Sequence, residues 1–66
     1  MFDKEELEIL LIKKHVKKED LAQYLGINLV TLYRKINGET EWKRNEMIKT
    51  AEFLGESDLS FIFFKK

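Results

Sequence analysis

The sequence predicts an all-α fold of five helices, and three observations carry that expectation. Strand-type alternation of apolar and polar residues is absent, and so is proline. Apolar residues recur instead at intervals of three and four, the repeat of one helix face. The three glycines are isolated, and each follows a helix-like run, where a chain leaves a helix through a left-handed residue.

The first helix is expected over about Asp3 to Lys14. Asp3 suits the N-cap, and Glu5 and Glu6 in the first turn favour the positive end of the helix dipole. Leu7, Leu10, Leu11 and Lys14 form one row, and Lys13 and Lys14 suit the C-terminal end. Ile9 and Ile12 widen the apolar face and are expected to be partly buried against neighbouring helices. The second helix is expected over Lys18 to Leu25, with Leu21, Ala22 and Leu25 inward, and Gly26 ends it. Ile27 follows as the apolar residue after the turn. Asn28 then caps a third helix, Leu29 to Asn37, which the Asn37-Gly38 pair terminates. After a link over Glu39 to Glu41, a fourth helix is expected over Arg44 to Leu54. Met47, Ala51 and Leu54 lie on one side of it, with Ile48 beside them. With Lys43 at the N-cap, Trp42 and Met47 stand in the places of a hydrophobic staple, and Glu46 can reach back to the free N–H. Gly55 stops this helix. The tail over 57–66 is expected to make one last short turn capped by Ser57.

A chain of 66 residues is expected to form one domain, 1–66. A domain of that size buries only about 60% of its unfolded surface and is marginal alone. Without cysteine it has neither disulfide nor Cys-based zinc staple, which leaves dimerisation as a route to further burial. The acidic N-terminus lacks the basic region of a signal peptide, and its apolar run is too short for a bilayer. A cytoplasmic protein with no membrane partner is therefore expected.

Net charge is zero, but its distribution is uneven. Residues 1–12 hold one base and four acids, residues 13–44 hold eight bases and four acids, and residues 45–66 hold three bases and four acids. The positive charge thus sits with the two helices hinged at Gly26. The third helix has two faces. Leu32 and Ile36 point one way, while Leu29, Val30, Tyr33, Arg34 and Asn37 span about 140° of the wheel on another side. A buried stripe beside a surface of small, aromatic, amide and guanidinium groups suits a helix lying in the DNA major groove.

Residues 16–38 resemble the helix-turn-helix of the Cro/C1-type family of phage repressors and related bacterial regulators. Leu21-Ala22, Leu25-Gly26-Ile27, Thr31-Leu32, Arg34 and Asn37-Gly38 stand in the family's places. Trp42 followed by Glu46-Met47-Ile48-Lys49, and the Phe-Phe ending, are similar to small phage Cro-like proteins. The resemblance implies a lambda-repressor-like DNA-binding domain and, as partner, double-stranded operator DNA. The chain also departs from the pattern. Lys17 and Lys18 replace a Ser or Thr cap and the glutamine after it, so the cap is lost and two cations stand where relatives meet phosphate. Leu29 and Val30 replace glutamine-rich positions and offer no amide for adenine. Glu39 and Glu41 make the following loop acidic.

Arg34 is the leading candidate for reading bases, since its planar fork matches O6 and N7 of guanine. Val30 suits a thymine methyl or a half-buried helix start. Leu29 borders the core side and suits packing more than reading. Tyr33 carries a hydroxyl for phosphate or a base edge. Lys17, Lys18, Asn28, Asn37, Lys43 and Arg44 are candidates for phosphate contact and positioning, with Asn28 and Asn37 also placed to cap. Lys35 is expected to point into solvent. Enzymatic chemistry, cofactor and small-molecule substrate are not expected: His15 is the only histidine and sits in a basic turn, and the glycines form no phosphate loop. Phe61, Ile62, Phe63 and Phe64 are candidates for a homodimer interface. The neutral charge and acidic loop leave open a rival reading, an adaptor or antirepressor whose Leu29, Val30 and Tyr33 surface meets another protein.

Overall fold

The computed structural model of the chain describes residues 1–64. Lys65 and Lys66, at the end of the expected tail, lie outside the described residues. Five helices are present among those described: α1 Lys4–Lys13, α2 Lys18–Leu25, α3 Leu29–Ile36, α4 Arg44–Leu54 and α5 Ser60–Phe63. No described helix is long and apolar enough to cross a membrane. α2 packs against both α3 and α4, and α1 packs against α5. Between them lies a core of Leu7, Leu10, Leu11, Leu21, Ala22, Leu25, Leu32, Ile36, Leu54, Leu59, Ile62 and Phe63. Leu7, Leu21, Leu32 and Ile62 are fully sealed from solvent, and each such side chain contributes about 1.5–3 kcal/mol through burial.

The helix starts follow their capping chemistry. Asp3 accepts a hydrogen bond from the Glu6 N–H at 3.1 Å, and Asn28 accepts one from the Thr31 N–H at 2.7 Å. At α4 the carboxylate of Glu46 accepts from the Lys43 N–H at 2.8 Å. Trp42 and Met47, the staple pair, are both partly buried against the core. Lys17, at the N-cap of α2, offers no side-chain cap, so only Glu19 and Asp20 favour its first turn.

α1 and its flanking residues are tied to the rest of the chain at four points. Its preceding residue Asp3 donates its N–H to the Ile62 carbonyl of α5 at 2.7 Å. Lys4 donates to Asn37 Oδ1 at 2.9 Å, Glu8 pairs with Lys18 of α2, and Lys14 pairs with Glu56 beyond α4 at 3.0 Å. Phe2, Trp42 and Phe63 form an aromatic cluster, with ring centroids 5.4, 5.7 and 5.0 Å apart.

Three expectations are corrected. Ile9 and Ile12 are 56% and 75% exposed, because the row Leu7, Leu10, Leu11 alone faces the core and the described residues leave the other side of α1 open. Ser57 caps nothing. Asp58 accepts from the Ser60 N–H at 2.8 Å, and the last helix starts three residues later than Ser57. Ile62 and Phe63 do not face outward for a partner. They close the core of the single chain, leaving Phe61 and Phe64 exposed.

The first four helices end in the same way. A left-handed residue follows each, and the next N–H returns to a carbonyl five residues back: Val16 to Leu11, Ile27 to Ala22, Glu39 to Arg34 and Glu56 to Ala51, at 2.8–3.1 Å. Three of the four left-handed residues are glycine, and the fourth is His15 with φ 58°. A side chain there strains the backbone, whereas at Gly26 an added Cβ would meet nothing within 4 Å and only its φ of 74° resists it. His15→Gly should therefore stabilise the fold by about 0.5–1 kcal/mol, while Gly26→Ala should destabilise it by about 1–2 kcal/mol. Urea unfolding of both variants measures this, and a loss of stability in His15→Gly would contradict it.

Candidate nucleic-acid interface

α3 stands on its buried stripe. Leu32 and Ile36 are sealed in the core, and Leu29 is half-buried against it. The opposite arc faces solvent: Val30 is 58% and Tyr33 42% exposed, and Arg34 is exposed beside them. Arg34 enters no ion pair among the described residues. Its guanidinium is thus unclaimed on a surface that also presents an isopropyl group and a phenol ring.

What holds α3 at its far end is an interaction the sequence reading missed. Lys35 is not solvated: it is 3% exposed. Its ammonium lies 3.0 Å from Glu46 Oε1 and donates to the Glu41 carbonyl at 3.0 Å. The same Glu46 oxygen accepts from the Lys43 N–H. One buried carboxylate therefore starts α4 and anchors α3, and one buried ammonium fastens the link between them. Thr50 completes this seam, donating its hydroxyl to the Glu46 carbonyl at 2.7 Å. On the helical wheel Lys35 lies only about 60° from Leu32, so its angular position did signal burial. The charge hid that signal, because lysine is rarely buried without a partner.

The positioning candidates divide. Lys17 and Lys18 line one groove with Tyr33, Ile12, Glu8 and Glu19, which puts the start of α2 beside the outward face of α3. Lys17 is exposed there. Lys18 is engaged, paired with Glu8 and standing 5.5 Å over the Tyr33 ring. The side chain of Asn28 is committed to its cap, and that of Asn37 accepts from Lys4. Lys43 is exposed at the α4 start. Arg44 instead lines a separate groove between α4 and the tail, with Ile48, Glu52, Asp58 and Phe64.

Two short helices joined by a tight glycine turn, the second with one face in the core and the other in solvent, are the arrangement of a helix-turn-helix. Residues 6–57 match the model of the Cro/C1-type HTH DNA-binding domain. The chain belongs to that family. Comparison with curated proteins and with solved structures finds no match. As a Cro/C1-type domain the chain has a lambda-repressor-like fold, and α3 is the second helix of the pair joined at Gly26.

In this Cro/C1-type domain the buried ion pair is testable as a structural element. Removing one partner strands the other charge, so Lys35→Met alone should cost about 3–5 kcal/mol. The domain's whole stability is about 3–10 kcal/mol at typical values per residue. The double variant Lys35→Met with Glu46→Leu should recover part of that loss, the lost Lys43 cap aside. Thermal and urea unfolding of the two variants decide it. A single variant as stable as the parent would remove the pair's role.

Proposed function

We propose that the protein is a sequence-specific regulator of transcription, of the phage Cro or repressor kind, that binds operator DNA as a homodimer in the bacterial cytoplasm. It lays α3 in the major groove and acts by occupancy, with no cofactor or small-molecule substrate. The observation that carries this reading is the outward arc of α3, where Val30, Tyr33 and Arg34, which has no ion pair among the described residues, lie exposed over a sealed stripe. Arg34 reads guanine with two hydrogen bonds, Val30 meets a thymine methyl, and Tyr33 reaches a base edge or phosphate. Leu29 sets the helix against the core. Lys17 and Lys43 contact phosphate and supply affinity that falls steeply with salt.

Dimerisation is supported by what remains apolar in a separate groove between α4 and the tail. Ile48, Phe61 and Phe64 are exposed, and Ile48 and Phe64 line the α4–tail groove. Arg44 in that groove lies with Glu52 and Asp58, charges that a second copy related by a two-fold axis can pair with its own. Two α3 helices then meet an inverted repeat, one helical turn apart.

Selection of bound duplexes from a random pool, followed by titration at two salt concentrations, tests the reading. The expected site is an inverted repeat. Arg34→Ala should cost about 1–3 kcal/mol on that site and much less on random DNA. Lys17→Ala should weaken both about equally and flatten the salt slope by about 0.9. Equal losses on both duplexes for Arg34→Ala would remove its reading role, and no enrichment at all would favour a protein-binding adaptor.

A further inference from the structure

We propose that Glu8, on α1 and outside the helix-turn-helix, is a specificity-determining residue of the DNA-binding surface. This rests on the functional reading above. Glu8 holds the Lys18 ammonium against the ring of Tyr33 and withholds it from phosphate. Three helices meet at this point. Glu8 comes from α1, Lys18 opens α2, and Tyr33 belongs to the outward face of α3. The Glu8 carboxylate pairs with Lys18 Nζ, which stands 5.5 Å from the Tyr33 ring centroid. The two side chains are about a third exposed, at 35% and 30%. The pair is therefore screened less than one in open water, and a cation over a partly desolvated aromatic face is attracted by the ring quadrupole.

Two consequences follow for DNA. A lysine already neutralised adds little to the phosphate attraction that dominates binding to random sequence. Glu8 also puts a negative charge next to the phosphates themselves. Both effects weaken binding to any duplex. On the cognate duplex they are offset, because a ring held by Lys18 from one face presents its hydroxyl in a set direction, with less side-chain freedom left to lose on binding. Glu8 thus lowers the affinity for random DNA more than the affinity for the operator. Glu19 lines the same groove and forms no ion pair among the described residues, which makes it the matched control.

The test uses the full chain with the duplex recovered by selection and a random duplex of equal length, titrated by fluorescence anisotropy over a salt series. Glu8→Gln should raise affinity for random DNA about fivefold, the factor of one ion contact in water. It should steepen that duplex's salt slope by about 0.9. Affinity for the selected duplex should change less than about twofold, so that the ratio of the two falls by several-fold. Glu19→Gln should shift both duplexes alike. In a Lys18→Met background, Glu8→Gln should no longer change the ratio. In the free protein, the Lys18 ε-methylene NMR signal should be displaced by the Tyr33 ring current and should return towards its ordinary position in Glu8→Gln. Selective binding by the parent with an unchanged ratio in Glu8→Gln overturns the proposal alone, as does an undisplaced Lys18 signal. If the parent binds neither duplex, the functional reading fails and the proposal falls with it.

Discussion

The presented face of α3 depends on the buried contact between Lys35 and Glu46. Two charges are taken out of water, and they are tolerated because each holds more than one partner: Lys35 meets Glu46 and the Glu41 carbonyl, and Glu46 meets Lys35 and the Lys43 N–H. The geometry ties the C-terminal half of α3, the link after it and the first turn of α4 into one unit. A purely apolar contact of the same size would permit small rotations of α3 about its axis. Directional bonds at one end, with Leu32 and Ile36 seated along its length, restrict them. That restriction keeps Val30, Tyr33 and Arg34 on one outward arc.

Around this centre the small chain economises on core by tying its ends together. α1 and the residues flanking it bond to α2, to α5 and to the residues just beyond α3 and α4, and the partly exposed pairs among these each contribute little. Their value is positional. They keep the apolar row of Leu7, Leu10 and Leu11 in one core with Leu21 and Ile62, and they bring an acid from α1 to the edge of the outward face of α3. The repeated helix ending serves the same purpose, since each left-handed residue turns the chain sharply while using up the last carbonyls of the helix.

Much of this was legible in the sequence because it is local. Helix limits followed from Asp3, Asn28, Gly26, Gly38 and Gly55, whose effects act within one turn of chain. The family motif and the two-faced character of α3 were equally readable from spacing. What escaped depends on partners distant in sequence. Lys35 lay on the buried arc, yet nothing local announced Glu46 as its counter-ion. Nothing in the local pattern around Glu8 pointed to Lys18, ten residues further on in the next helix. The tail's four aromatic and aliphatic residues, 61–64, could not be divided by pattern into core and surface. A single short turn decides it, with Ile62 and Phe63 pointing in and Phe61 and Phe64 out. The mismatch at Ile9 and Ile12 has the same origin, since how much of a helix face is covered depends on neighbours the local pattern does not contain.

The central claim is that the outward arc of α3 is the surface that meets DNA, while its reverse side stays in the core. NMR titration of the labelled protein with the selected duplex addresses this directly. Signals of Val30, Tyr33, Arg34 and Lys17 should move in proportion to added duplex, while the side-chain signals of Leu32, Ile36 and Thr50 stay in place. Movement confined to the exposed face of α1 around Ile9 and Ile12, or to the groove lined by Ile48 and Phe64, with α3 unaffected, would contradict it.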